Sequence, residues 1–104
     1  MNKVALIGRL TADPEIRKTQ DGKSVASYTL AVDRRVAKGD SQADFIPCTA
    51  WEKKAEFAEK YLRKGIKIAI TGRIQTGKYT DKNGNTVYTT DVVVEDHEFC
   101  EAKG

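Results

Sequence analysis

The sequence predicts a small all-β domain: a five-stranded antiparallel barrel with one helix between strands three and four. Three observations carry that expectation. Short stretches alternate apolar and polar residues with a period of two, the signature of a half-buried strand. Between residues 52 and 64 the apolar spacing becomes helical. Turn signals punctuate the rest at Asp13-Pro14, Asp21-Gly22 and Asn83-Gly84.

The elements follow in order. "NKVALIGRL" reads as a first strand, and "DPEIRKTQDG" supplies turn residues after it. From Ser24 to Arg35, Ala26, Tyr28, Leu30 and Val32 occupy one face and Ser27, Thr29 and Asp33 the other. "AKGDSQA" has no apolar anchor and reads as a loop. "DFIPCTAW", Asp44 to Trp51, is a third strand in which Pro47 demands an edge or a bulge, because it donates no ladder hydrogen bond. Ala55, Ala58 and Leu62 then sit at helical spacing. Glu52 and Glu56 suit the positive N-terminal end, Arg63 and Lys64 suit the other, and Gly65 suits the exit. Ile66, Ile68 and Ile70 alternate with Lys67, Ala69 and Thr71 as a fourth strand. The fifth follows a hairpin whose Asn83-Gly84 predicts a two-residue type I′ turn. Short amphipathic strands plus one helix fit the five-stranded oligonucleotide-binding barrel.

The 104 residues suit one domain, 1–104. No apolar run is long enough to span a bilayer and no signal peptide is evident, so the expected location is the cytoplasm, without a membrane partner. Cys48 and Cys100 form no CxxC pair, and with one histidine a structural zinc site is not expected; both thiols read as reduced. No metal or cofactor is implied. His97 reads as a solvated surface histidine. Phosphate-loop, zinc-protease and nucleophile-elbow motifs are absent and no carboxylates cluster, so the protein is not expected to be an enzyme. The charge is lopsided. Residues 1–90 hold 17 Lys and Arg against 10 Asp and Glu, while residues 91–104 hold 1 against 5. A basic body suits a polyanion.

Single-strand binders combine cations with rings on which bases stack. Here Phe45 begins strand three and Trp51 ends it, with Lys53 and Lys54 just after. Arg34 and Arg35 close strand two, and Arg73 lies on strand four. "GKYTDKNGNTVYTTDVVV" carries a tyrosine on each arm of an otherwise polar hairpin, with Tyr79 between Lys78 and Lys82. Phe45 and Trp51 are six residues apart and share one strand face, which is either core or binding surface. Tyr79 has no apolar neighbours with which to share a core. Tyr28 belongs to the apolar face of its strand, and Phe57 and Tyr61, at i and i+4, read as packing.

"NKVALIGRLTADPEIR", "GKSVASYTLAVDRR", "DFIPCTAWEKKAEFAEKYLRKG" and "GRIQTGKYTDKNGNTVYTTDVVV" resemble the bacterial single-stranded DNA-binding protein family in order and spacing. The resemblance implies an oligonucleotide-binding barrel, usually a homotetramer, that binds single-stranded DNA without sequence preference in replication, repair and recombination. It places base-stacking aromatics at Phe45, Trp51 and Tyr79. Lys3, Arg17, Lys53, Arg73 and Lys78 match or neighbour positions used for phosphate. Two features depart from the family pattern. Val36 stands where many members carry an aromatic, and no linker with an acidic tip follows the barrel. The chain is either cut after the barrel or a tailless relative of the kind mobile elements carry. Either way, enzymes that dock on that tip are not expected as its partners. The competing reading is a protein-interaction barrel of the primosome type, which could lose the three aromatics.

Overall fold

A computed structural model of the chain describes residues 1–34 and 42–100. Six strands and one helix follow in the order β1 (Val4–Leu10), β2 (Glu15–Lys18), β3 (Ser24–Asp33), β4 (Ala43–Trp51), α1 (Lys53–Tyr61), β5 (Lys67–Thr80) and β6 (Thr86–Phe99). The sheet runs β1-β5-β6-β4-β3-β2, and a further pairing of β1 with β3 closes it into a ring. The predicted barrel and helix are present, with one addition. Glu15–Lys18, expected as turn, pairs antiparallel with Ser24–Ser27. The turn shrinks to Thr19–Lys23, closed by Thr19 N–H donating to Lys23 O at 2.9 Å. Ile16 explains the extra strand, because it packs against the core while Glu15 and Arg17 point away from it.

The core lies inside the ring. Leu10, Ala26, Tyr28, Leu30, Cys48, Ala50, Ile68, Ile70, Val92 and Val94 meet there, and Ala55, Ala58 and Leu62 of the helix close one end. These are the positions that the two periodicities assign to the interior. Helix α1 stops at Tyr61, with Leu62 already extended, so Gly65 lies beyond its exit. Arg63 Nη1 donates to Glu59 O and Leu62 O, and Asp13 Oδ1 accepts from Lys64 N–H at 2.9 Å. Asp13 thus ties the helix exit to the end of β1.

Pairing of β4 with β6 is parallel and only two residues long, Cys48 with Val92 and Thr49 with Val93. Pro47 sits just before this seam opposite Thr29, on a stretch of β4 with one ladder partner. Its missing donor therefore costs the β6 pairing nothing. Two glycines let strands pass at backbone distance. A Cβ on Gly8 would lie 2.5 Å from Ala31 O, and one on Gly72 would lie 2.2 Å from Val93 O. Gly72 also adjoins the one irregularity in the β5–β6 ladder, between Thr71 and Gly72.

Beyond Gly72, β5 and β6 continue as a two-stranded arm paired out to Thr80 and Thr86. Its turn differs from the expected type I′. Only Gly84 has positive φ, at 82°, and Gly84 N–H donates to Asp81 O at 3.1 Å. That is a three-residue loop, a type I turn closed by a left-handed glycine. The reason is Asp81, whose Oδ1 accepts from both Asn83 N–H and Asn85 N–H at 2.9 Å and holds Asn83 out of the left-handed region.

Candidate nucleic-acid interface

Strand register decides which side chains share the outer face. Arg17, Val25 and Trp51 stand directly opposite one another across β2, β3 and β4. The next row, Glu15, Ser27, Thr49, Val93 and Arg73, crosses five strands. Phe45 opposes Ala31 on the same face, six residues along β4 from Trp51. Tyr79 lies six residues along β5 from Arg73, again on that face, opposite Val87. Trp51 is 41% exposed, Tyr79 56% and Phe45 66%. These rings contribute to the surface and not to the core.

A cleft of about 300 Å³ runs under Trp51, lined by Arg17, Lys18, Thr19, Val25, Ser27 and Thr49. Arg17 is held loosely, its Nε 3.9 Å from Glu15 Oε1. Arg73 Nη1 donates to Gln75 Oε1 at 3.2 Å. Thr49 Oγ1 donates to Asp91 Oδ2 at 2.9 Å, which occupies a carboxylate that would otherwise face the row. The arrangement offers three exposed rings and two guanidinium groups on one continuous surface.

The remaining cations are dispersed. Lys3 Nζ pairs with Glu95 at 3.0 Å. Arg34 Nη2 pairs with Asp44 at 2.8 Å, which raises the guanidinium pKa and lowers that of the carboxyl, the hydrogen bond coming first in both. Lys53 lines a separate cleft with Lys54, Phe57, Asp96 and His97, away from the Trp51 cleft. Lys82 sits in the tip of the arm. Lys78 lies on the opposite face of the arm from Tyr79, directly across from Tyr88. Arg35, like Val36, lies outside the described residues. Much of the acidic character of β6 is spent on local pairs, Glu95 with Lys3 and Asp96 with Lys54 at 3.2 Å.

Two side chains behave otherwise than the sequence suggests. Tyr88, unassigned by the sequence reading, is 77% exposed. Its tyrosine-on-each-arm pattern was visible, and period-two counting across the loop would have placed it. His97 is not a solvated histidine. Its ring stacks on Phe57 at 4.9 Å and its Nε2 lies 2.7 Å from Tyr28 Oη in a hydrogen bond, with Phe99 and Tyr61 extending the cluster. Burial, aided by the Lys54 charge and opposed by Asp96, lowers its pKa to about 4. Burial likewise raises the Tyr28 pKa, and pushes the Cys48 thiol up to about 12. Cys48 and Cys100 are both free.

A folded-state value below the ordinary 6.5 means that the unfolded chain binds more protons at His97. The stability this residue contributes is thus present above about pH 6.5 and is lost as pH falls towards about 4. The thermal midpoint should drop over that window, and His97→Phe should flatten the drop. An equal drop in the variant would place the acid sensitivity elsewhere.

A closed barrel with a helix across one end and an open face of rings and cations has the architecture of an oligonucleotide-binding barrel. The chain belongs to the single-strand binding protein family, which it matches over residues 1–100. It is 47% identical over 105 residues to "Single-stranded DNA-binding protein 2" of Listeria innocua, covering 99% of this chain and 66% of that one. Against "Single-stranded DNA-binding protein 3" of Clostridium acetobutylicum the identity is 52% over 103 residues, 97% of this chain and 72% of the other. Against "Single-stranded DNA-binding protein" of Halalkalibacterium halodurans it is 45% over 106 residues, 100% and 63%. The chain thus spans about two thirds of the length of these relatives. Among the described residues no helix is long and apolar enough to cross a membrane.

Proposed function

We propose that the chain binds single-stranded DNA without sequence preference, by stacking and charge and not by catalysis. The observation that supports this most is the shared outer face: Phe45, Trp51 and Tyr79 as stacking platforms, with Arg17 flanking Trp51 from β2 and Arg73 on the Tyr79 strand as phosphate ligands. Every base has a face to stack, so such a surface is tolerant of sequence. Lys3, Arg34, Arg35, Lys53, Lys78 and Lys82 serve as outlying phosphate contacts. Lys3 and Arg34 can exchange a carboxylate for a phosphate at little cost, because solvent screens exposed ion pairs such as these. The names of the relatives, each a single-stranded DNA-binding protein, agree with this reading. On the same reading the chain serves replication, repair and recombination in the cytoplasm, at the nucleoid.

The protein acts as a homo-oligomer, a tetramer in our reading. Strand β1 pairs with β5 along its length but with β3 only at Arg9 and Leu10, which leaves the edge from Val4 to Ile7 open. An apolar groove of about 380 Å³ lined by Val4, Leu6, Ile46, Pro47, Ile74 and Val92 opens beside that edge. A second copy of the chain would cover both.

One titration tests the proposal. Oligo-dT should quench the emission of Trp51, the only tryptophan, in a saturable way. The logarithm of affinity should fall against that of salt with a slope near −0.7 per phosphate contacted. Arg17→Ala with Arg73→Ala should make that slope shallower by about 1.4. Light scattering on the same sample should give a multiple of 11.5 kDa. Salt-independent or undetectable binding would overturn the proposal in favour of a protein-interaction barrel.

A further inference from the structure

The two tyrosines of the arm point to opposite sides. Tyr79 shares the outer face with Arg73, whereas Lys78 and Tyr88, directly opposite each other, belong to the face that continues the barrel interior. Down in the barrel that face holds Val92 and Val94, both buried. Past the rim the core ends, yet the sequence keeps a ring there. The rest of the face is Ile74 at the rim and four threonines, Thr76, Thr80, Thr86 and Thr90. Tyr88 is the most exposed aromatic among the described residues and makes no ring contact or hydrogen bond there. Packing therefore gives no reason for it. No carboxylate lies on this face of the arm; Asp91 projects from the other, bonded to Thr49. A ring beside a lysine, among hydroxyls and without acid, is complementary to a polyanion that carries stackable bases.

We infer that the back of the arm is a second platform for single-stranded nucleic acid, with Tyr88 stacking a base and Lys78 holding the adjoining phosphate. The inference rests on the single-strand reading above and deepens it. Neighbouring strands are only about 5 Å apart. A flexible strand of DNA can therefore turn round the edge of the two-stranded arm, engaging Tyr79 on one side and Tyr88 on the other. The hairpin then works as a post round which DNA bends, and more nucleotides are held per protein than one face allows.

The test uses the whole chain and oligo-dT carrying 5-iododeoxyuridine, which photocrosslinks to a stacked ring. Crosslinks are expected at Tyr88 as well as at Tyr79. Tyr88→Ala should weaken binding of a long oligo-dT by about 5- to 150-fold, a span taken from single-strand binders at large. Tyr88→Phe should restore it, since the ring and not the hydroxyl does the stacking. Lys78→Ala should make the salt slope shallower by about 0.7. Tyr88 is exposed, so the variants should keep the parent's thermal midpoint. If Tyr88→Ala binds like the parent and takes no crosslink while Tyr79→Ala is weakened, the second platform is refuted and the front face stands. Loss of oligomer mass in Tyr88→Ala would instead make this face a contact between copies, which also refutes it. If neither tyrosine matters, the single-strand reading falls as well.

Discussion

Gly72→Ala is expected to be among the most damaging single changes in the protein. The added Cβ would lie 2.2 Å from Val93 O, 3.0 Å from Val93 C and 3.2 Å from a Val92 methyl. Backbone cannot give way there cheaply. Val93 is paired on one side with Arg73 and on the other with Thr49, in the two-residue parallel seam. Relieving the clash means opening the seam or unpacking Val92 and Val94. Overpacking in a fixed core costs about 1–3 kcal/mol, and a backbone obstacle puts Gly72→Ala at the upper end. At about 4–8 °C per kcal/mol for a domain of this size, the thermal midpoint should fall by about 10–25 °C. Gly84→Ala is the contrast: its φ of 82° is strained for alanine, but nothing lies within 4 Å. It should cost about 1 kcal/mol. Equal midpoints for the two variants would show that the Gly72 approach is not what holds the seam.

Phe45→Ala combined with Trp51→Ala should nearly abolish binding of single-stranded DNA while leaving the fold intact. Six residues of strand separate the two rings by about 20 Å, so their contributions should add. Stacking contributes about 1–3 kcal/mol per base, which makes the pair worth about 2–6 kcal/mol. That corresponds to a loss of roughly 30- to 20,000-fold in affinity, at 1.4 kcal/mol per tenfold. A core role predicts the reverse pattern, a large fall in thermal midpoint with affinity kept in the folded fraction. Phe45 at 66% exposure and Trp51 at 41% argue for the first pattern. A double variant that keeps the parent's affinity would remove β4 from the DNA path.

The outer face was legible in the sequence because it follows from counting by twos. Phe45 and Trp51 share parity on one strand, and register then brought Arg17 and Arg73 beside them. What counting misses is competition from a distance or from a side chain. Glu15–Lys18 is a strand only because Ser24–Ser27 lies beside it and Ile16 finds the core; locally it is flanked by turn dipeptides. Asn83-Gly84 would make a type I′ turn, but the Asp81 carboxylate captures two amides and selects another. His97 looked solvated because its neighbours in the chain are acidic. Its real surroundings are Tyr28 and Phe57, 69 residues away in the first case. Nearness in sequence to Trp51 and Tyr79 likewise did not put Lys53 and Lys78 on the same side as those rings.

The arm draws none of its residues beyond Ile74 and Thr90 from the core, and this has an evolutionary consequence. Its length can vary without taxing the barrel, since doubling a flexible loop costs only about 0.6 kcal/mol in closure entropy. The variation is quantised, however. Inserting one residue into each strand would exchange the sides of every ring beyond it, turning Tyr79 to the back and Tyr88 to the front. Inserting two would preserve both and move them outward by about 7 Å. Reach can therefore evolve in steps of two residues per strand, separately from stability, while odd steps re-sort what each side presents.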